Sequence, residues 1–171
     1  MALADAEDLH SAIPVLEVII VTATKREAPI ERVPVSVLAV SGVALEQNLL
    51  TNLEDLSSYI PNLVIGDGAL TTTISIRGVG SQPERGFEQS VALFVDGVYM
   101  PRSRQYRTPF MDVAQLEIQR GPQAVLYGIN ATSGAMTIAT NRSLPGEALV
   151  ADATAEYELE YGGPRLTAVL G

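Results

Sequence analysis

The chain has 171 residues, which is enough for one domain with a substantial core, and 47% of them are hydrophobic, which excludes a disordered polypeptide. Its net charge of −9 argues against a nucleic-acid partner, because such a partner requires a basic face. There is no cysteine, and the single histidine, His10, lies in an acidic stretch, so we predict no metal site, no catalytic residue and no cofactor.

Residues 1–16 are acidic and rich in small residues, and we expect them to form a flexible leader. They lack the basic and apolar regions of a signal peptide. No apolar run in the chain reaches the ~18 residues that a transmembrane helix needs.

Residues 17–24 differ from the leader, because the string LEVIIVTA at 16–23 is a compact β-branched run. Two interpretations of this predicted strand stay open. It is either an ordinary edge strand of the domain or a strand that adds to the exposed sheet edge of a partner. In the second case backbone hydrogen bonds give the affinity and alternate side chains give the register.

Short strands and helices alternate from residue 33 to residue 77. Thr51 and Glu54 have the spacing of a capping box, in which two side chains bond reciprocally to backbone N–H groups at the start of a helix. Leu53, Leu56 and Ile60 give that helix an apolar face. The predicted elements are a strand over 33–40, a helix over 41–48 capped by Ser41, a helix ending at Pro61, and strands over 63–65 and 72–77.

Residues 78–86, GVGSQPERG, form a predicted loop that lacks the helix and the Lys of a phosphate-binding loop. A strand is predicted over 91–95. Asp96-Gly97 follows it and is a strong signal for a hairpin turn, so residues 98–100 are predicted to form the second strand of a hairpin. We predict a solvated loop over 101–107. This loop carries a basic and aromatic cluster in an otherwise acidic chain: Arg102, Arg104, Tyr106 and Arg107.

The most distinctive stretch is QLEIQRGPQAVLYGINATSGAMTIAT at residues 115–140. Apolar and polar residues alternate over 116–120, which predicts a short strand, and Gly121-Pro122 ends it. Residues 123–127 can form one or two helical turns, for which Gly128 is a natural C-cap. A second strand is predicted over 135–140.

Arg77 and Arg120 each end a short apolar strand just before a glycine. A half-buried guanidinium needs carboxylate or carbonyl partners, and Glu117 is a candidate partner within the chain. The alternative is that both are ordinary arginines at the end of a sheet.

After a predicted linker at 143–147, apolar and polar residues alternate over more positions than in a usual globular strand. This alternation is typical of a transmembrane barrel strand, with Tyr157 and Tyr161 toward a membrane interface. A turn at 162–164 precedes a second strand. Two strands cannot close a barrel, so we expect the chain to be a fragment or a truncated product of a larger protein.

Four strings of the distinctive stretch, in this order and spacing, resemble the signature of the plug domain of TonB-dependent outer-membrane receptors: RGP at 120–122, LYG at 126–128, NA at 130–131 and SGA at 133–135. The strings ISIRG at 74–78 and FVDGVY at 94–99 resemble two earlier motifs of that family, and 33–37 and 56–62 match its early part. TIAT at 137–140 and PN at 61–62 depart from the usual NIVT and PG. The resemblance covers about residues 17–142.

The resemblance implies an α+β fold, a small mixed-sheet plug domain with short helices followed by a β-hairpin that would begin a transmembrane β-barrel. It divides the chain into a flexible leader at 1–16, a TonB-box-like segment at 17–24, the plug domain at 25–142, a linker at 143–147 and the first two barrel strands at 148–171.

The function implied is that of the plug portion of a receptor for energised uptake of a scarce solute, such as a ferric siderophore, cobalamin or an oligosaccharide. The plug would lie inside the barrel in the outer membrane and face the periplasm. The implied partners are the periplasmic domain of TonB, the remainder of the β-barrel and a small solute such as a metal chelate. The alternatives are a freestanding module that binds TonB or a ligand without transport, and a small α+β enzyme, which is the least favoured.

By the same resemblance, three groups of site residues are expected. TonB would bind Glu17, Val18, Ile19, Ile20, Val21, Thr22 and Ala23. Arg77 and Arg120 would bridge to acidic residues of the barrel wall and lock the plug, together with Glu117. The ligand would meet Gln82, Arg85, Arg102, Arg104 and Tyr106.

Overall fold

The computed structural model describes residues 19–23, 25–68, 71–81, 89–107, 109–128, 130–142, 151–158 and 163–170. Its strands are β1 Ile20–Val21, β2 Ala28–Pro29, β3 Ser36–Ser41, β4 Leu63–Asp67, β5 Thr72–Ile76, β6 Val79–Gly80, β7 Val91–Val95, β8 Val98–Met100, β9 Val113–Arg120, β10 Gly134–Thr140, β11 Ala151–Glu158 and β12 Gly163–Leu170. The α-helices are α1 Gly42–Gln47, α2 Leu56–Tyr59 and α3 Ala124–Tyr127, and two 3₁₀ helices span Ile30–Arg32 and Ser103–Arg107. Short helices and strands of this kind confirm the predicted α+β class.

A mixed five-stranded sheet with the order β3-β9-β10-β7-β8 forms the centre of the domain. β10 pairs in parallel with β7 and antiparallel with β9, and the remaining pairs are antiparallel. Because side chains alternate along a strand, β9 sends Leu116 and Ile118 to one face and Glu117 and Gln119 to the other. The two faces of this central strand therefore differ in chemistry.

The main core covers the face of Leu116 and Ile118 and joins the central sheet to an antiparallel three-stranded sheet, β4-β5-β6. Leu53, Leu56 and Ile60 lie in this core, which confirms the predicted apolar face of the second helix. A smaller cluster lies on the opposite face of the central sheet, where the polar side chains of β9 point. Its buried members are Ala92, Phe94, Ala131 and Ala135.

The two predicted helix starts have different outcomes. Ser41 is the N-cap of α1, and its Oγ accepts a hydrogen bond from the Ala44 N–H at 3.2 Å, as expected. The capping box of Thr51 and Glu54 is wrong. The reciprocal pair is one residue later, because the Asp55 carboxylate accepts from the Asn52 N–H at 3.1 Å and the Asn52 Oδ1 accepts from the Asp55 N–H at 3.0 Å. Asp55 also accepts from the Thr51 N–H at 2.7 Å, so this carboxylate fixes the turn and α2 begins only after it.

The hairpin predicted at Asp96-Gly97 is confirmed between β7 and β8. Both residues have positive φ, +48° and +81°, as a type I′ turn requires. The Asp96 carboxylate also accepts hydrogen bonds from the Thr140 N–H at 3.0 Å and from the Thr140 hydroxyl at 2.9 Å. The turn is thereby fastened to the end of β10.

The distinctive stretch forms the predicted strand, short helix and strand as β9, α3 and β10. Gly128 ends α3 with a φ of +87°. At Gly134 a Cβ would lie 2.4 Å from the carbonyl oxygen of Gln119, so only glycine lets β10 approach β9 this closely. The first strand of the domain differs from its prediction, because β3 begins at Ser36, two residues after Pro34.

β11 and β12 pair antiparallel, from Ala151 opposite Leu170 to Glu158 opposite Gly163, which confirms the predicted hairpin. Tyr157 is 64% exposed on it. Tyr161, the leader at 1–16 and the linker at 143–147 lie outside the described residues. In the described part of the chain, no helix is both long and apolar enough to cross a membrane.

Candidate functional site

The predicted docking strand is folded back on the domain. Of residues 17–23, the structure describes 19–23, which we call the docking segment, while Glu17 and Val18 lie outside the described residues. Within the docking segment only Ile20–Val21 are in a strand, and they pair antiparallel with Ala28–Pro29. The carbonyl oxygen of Ile19 also accepts from the Ile30 N–H at 2.9 Å.

Three side chains of β9 and α3 hold the backbone of the docking segment. The amide of Gln115 donates to the carbonyl oxygen of Ile20 at 2.9 Å. The Glu117 carboxylate accepts from the N–H of Thr22 at 2.7 Å and from its hydroxyl at 3.0 Å. The hydroxyl of Tyr127 donates to the carbonyl oxygen of Ala23 at 3.1 Å. We call Gln115, Glu117 and Tyr127 the cradle.

Glu117 is a buried carboxylate, only 4% exposed, and it is held by hydrogen bonds. Besides Thr22, the amides of Gln115 and Gln119 donate to it at 3.2 and 3.5 Å. Such donors offset much of the cost of burying a charge. The expected pairing of Glu117 with an arginine is wrong within the described residues, where it forms no ion pair. The alternation of β9 explains this, because Arg120 points to the opposite face.

Aromatic rings close the side of the cradle. The ring centroids of Phe94 and Tyr127 are 5.1 Å apart, and those of Phe94 and Tyr99 are 5.4 Å apart. The Lys25 ammonium lies 5.6 Å from the Phe94 centroid and 5.3 Å from the Tyr127 centroid, which is cation–π distance. Burial raises the pKa of Tyr127, so its hydroxyl stays protonated and able to donate.

Sequence reasoning missed Gln115, Lys25 and Tyr127 as members of this site. One signal was present, because Gln115, Glu117 and Gln119 place polar side chains at every second position of a strand that is otherwise apolar. In a central strand such a polar face predicts a polar partner on that side. No sequence pattern near residues 115–119 indicated that the docking segment would be this partner.

Arg77 and Arg120 both lie beside Ser36, the first residue of β3. Arg77 donates from Nη2 to the Ser36 hydroxyl at 3.3 Å, and Ser36 lies directly opposite Arg120 in the pairing of β3 with β9. Arg77 is exposed and Arg120 is half-buried. Within the described ranges neither guanidinium forms an ion pair.

The residues expected to contact a ligand differ in their position and exposure. Arg102 and Arg104 are exposed at the 3₁₀ helix Ser103–Arg107. Tyr106 is only 1% exposed, and its hydroxyl donates to the carbonyl oxygen of Val91 at 3.3 Å, so the prediction of a solvated loop is wrong for this residue. Its ring anchors the 3₁₀ helix in the main core, and burial raises its pKa. Gln82 and Arg85 lie outside the described residues.

Over the ranges that the structure describes, no group of three or more His, Cys, Asp and Glu side chains could hold a metal ion. The arrangement instead offers hydrogen bonds to a peptide backbone at the cradle and positive charge at two exposed places. These are features of binding.

Comparison with known proteins places this geometry in a family. Residues 29–135 match the model of the TonB-dependent receptor plug domain. The chain is 30% identical over 139 residues to an iron-regulated outer membrane virulence protein of Vibrio cholerae serotype O1, covering 74% of this chain and 20% of that protein. It is 32% identical over 143 residues to the pesticin receptor of Yersinia enterocolitica, covering 82% of this chain and 21% of the receptor.

Among solved structures, the ferric yersiniabactin uptake receptor FyuA from Yersinia pestis superposes with a TM-score of 0.63 at 30% identity, over 77% of this chain and 20% of that chain. The chain therefore spans about a fifth of the length of the curated relatives it matches. The match to the plug model runs from the end of β2 to the start of β10, so it includes all of β3, β7, β8 and β9 of the central sheet. The chain belongs to the family of TonB-dependent receptor plug domains, which are components of transport and not enzymes.

Proposed function

We propose that this chain is the plug portion of an outer-membrane receptor for energised uptake of a scarce solute, and that the solute is a ferric chelate. The names of its relatives support iron over cobalamin or an oligosaccharide, because they include an iron-regulated outer membrane protein and a ferric yersiniabactin uptake receptor. In the whole receptor the hairpin of β11 and β12 begins the barrel around the plug.

The observation that carries this proposal is the cradle. Its side chains bond to backbone atoms of the docking segment, so they leave the apolar side chains of Ile19 and Ile20 exposed at 45% and 44%. Three such hydrogen bonds and the bond from the Thr22 hydroxyl stabilise the docked segment by about 4–9 kcal/mol in total, since the two bonds to the Glu117 carboxylate contribute about 1.5–3 kcal/mol each and the other two about 0.5–1.5 kcal/mol each. A partner that adds the segment to its own sheet as a strand makes a similar number of bonds. The periplasmic domain of TonB, binding residues 17–23, can therefore compete with the cradle.

The arginine pair has a separate role in this proposal. Arg77 and Arg120 bind acidic residues on the inner wall of the barrel and hold the plug in place. Exposed charged pairs contribute only about 0–1 kcal/mol each, so water can replace them when the plug moves. Glu117 has no part in this lock, since it belongs to the cradle on the other face of β9.

Binding of the purified periplasmic domain of TonB to the chain tests the docking role. Ile20→Pro should abolish binding, because proline removes a backbone donor and interrupts the added strand. Ile20→Ala is the matched control, since it shortens the same side chain but keeps the donor. If Ile20→Pro binds as tightly as Ile20→Ala, the segment is not the docking strand.

An immunoblot of outer-membrane fractions from the native organism, with an antibody against this chain, tests the transport role. A band several times larger than 18.2 kDa in the outer membrane is the expected result. A band at 18.2 kDa in the soluble fraction would replace the transport proposal with a freestanding binding module.

A further inference from the structure

Four side chains form a row across the face of the central sheet that carries the cradle. Phe94 of β7 pairs with Tyr99 of β8 and with Thr137 of β10. Thr137 in turn pairs with Glu117 of β9. Directly paired residues point to the same face of a sheet. The row therefore presents two aromatic rings, a hydroxyl and a carboxylate side by side, and Tyr127 of α3 adds a third ring beside Phe94.

This row is rich in negative charge and in hydrogen-bond acceptors. The faces of aromatic rings are the negative part of their quadrupole, and the Glu117 carboxylate lies buried among them. Among the described residues, the Gln119 Oε1 and the Thr137 Oγ1 have no hydrogen-bond partner. Gln119 lies two positions after Glu117 on β9, so it points to the same face. Groups of this kind favour a cation and disfavour an anion.

The cation in contact with these rings is Lys25. Its ammonium lies 5.6 Å from the Phe94 centroid and 5.3 Å from the Tyr127 centroid. The backbone of Lys25 has a φ of +58°, a left-handed conformation that residues with a side chain rarely adopt, and its N–H donates to the carbonyl oxygen of Thr22 at 2.7 Å. A tight turn after the docking segment therefore directs the lysine back over the rings. The cation–π contacts help to offset the backbone cost of this turn.

We propose that Phe94 and Tyr127, with Tyr99 packed against Phe94, form a binding site for an ammonium or guanidinium group, and that Lys25 occupies this aromatic box as an internal ligand. Lys25 lies two residues after the docking segment, so its ammonium fastens the segment at a point that the cradle does not reach. An external cation, on a small molecule or on a side chain of a peptide, competes with Lys25 for the box and loosens the segment. The box is inferred from the ring contacts, whereas its effect on TonB binding rests on the proposed docking role.

Hydrogen exchange at the Thr22 amide of the 171-residue chain tests Lys25 as the internal ligand. Lys25→Gln keeps a side chain of similar length and the same backbone strain but removes the charge, so it should speed this exchange about twofold to fivefold. Lys25→Arg keeps a cation that stacks on aromatic rings, so its Thr22 amide should exchange as in the parent chain. Arg26→Gln is the matched control, because Arg26 is the next residue, is exposed, and is in cation–π contact with no described ring. If Lys25→Gln exchanges as the parent does, or if Arg26→Gln speeds exchange equally, Lys25 is not the ligand of the box.

NMR titration with butylammonium, followed at the ring resonances of Phe94 and Tyr127, tests the box for external cations. Lys25→Gln empties the box, so it should bind butylammonium about twofold to fivefold more tightly than the parent chain, in which Lys25 competes. The proposal is overturned if both chains bind butylammonium equally, or if the uncharged 1-butanol binds as tightly as butylammonium. A second titration with N-acetyl-lysinamide distinguishes the two sources of the cation. A shift of the same resonances shows that the box accepts a side chain of a peptide, whereas a response to butylammonium alone restricts it to free organic cations.

Binding of the periplasmic domain of TonB, measured on the same samples, separates the two proposals. Tighter TonB binding by Lys25→Gln than by the parent chain supports both, because a looser segment is more often free for capture. Butylammonium binding in a chain that does not bind TonB supports the box and refutes the docking role. TonB binding in a chain whose ring resonances do not respond to butylammonium refutes the box alone.

Discussion

Replacing Glu117 with glutamine should weaken the hold of the cradle on the docking segment while leaving the fold intact. Glutamine has the shape of glutamate, and the Gln119 Oε1, which has no hydrogen-bond partner among the described residues, can accept from the new amide after rotating. The hydrogen bonds that weaken are therefore those from Thr22, whose N–H and hydroxyl both donate to the Glu117 carboxylate.

The free-energy cost of this substitution follows from the loss of charge on the acceptor. A hydrogen bond to a charged group contributes about 1.5–3 kcal/mol, and one between neutral groups about 0.5–1.5 kcal/mol. Glu117→Gln should therefore cost the docked state about 1–1.5 kcal/mol for each of the two Thr22 bonds, or about 2–3 kcal/mol together, which raises the population of the open state about 30-fold to 140-fold. Hydrogen exchange at the Thr22 amide measures this directly, because that amide is protected only while the segment is docked.

The chain offers a matched control at the other end of the sheet. The Thr140 N–H donates to the Asp96 carboxylate at 3.0 Å, a bond of the same type. Asp96→Asn should speed exchange at Thr140 and leave Thr22 unchanged, whereas Glu117→Gln should do the reverse. If Glu117→Gln leaves exchange at Thr22 unchanged while Asp96→Asn speeds exchange at Thr140, the cradle does not hold the segment.

Two further predictions concern the lock and the packing. Replacing both Arg77 and Arg120 with alanine in the full receptor should loosen the plug and increase its susceptibility to protease; the same cleavage rate as in the parent receptor would exclude the lock. Gly134→Ala should lower the free energy of unfolding by about 1–3 kcal/mol, because the added Cβ would lie 2.4 Å from the Gln119 carbonyl oxygen and 2.9 Å from Ile76 Cδ1. Gly163→Ala, whose added Cβ would meet no described residue within 4 Å, is its control in denaturant unfolding, and equal midpoints for the two variants would refute the close approach.

Features set by neighbouring residues could be predicted from the sequence. The Asp96-Gly97 hairpin, the Ser41 cap and the Gly128 helix end each follow from the conformation or hydrogen bonding of a few adjacent residues. The mixed sheet itself was predicted through the ordered motifs of the family. The capping box shows the limit of such reasoning. Two acidic side chains lie close to the start of this helix, and it is the Asp55 carboxylate, not that of Glu54, that accepts hydrogen bonds from the N–H and hydroxyl of Thr51 and from the N–H of Asn52.

The cradle could not be predicted in the same way. It depends on which side of β9 faces the core, and that is settled by the packing of Leu116 and Ile118 against distant strands. Once this side is fixed, Glu117 must point away from Arg120 and toward the docking segment. Tyr106 was misjudged for a related reason, since its basic neighbours indicated solvent while its own ring fills the core.

The contacts of the cradle also set an order of folding. Gln115 and Glu117 hold residues that precede them by 95 positions, and Tyr127 holds one that precedes it by 104. Closing such long loops is entropically costly, and the holding groups exist only after β9 and α3 have formed. The docking segment is thus the first described part of the chain to be synthesised and among the last to be secured. While the plug is still folding, the segment is accessible to any protein that pairs with free strands.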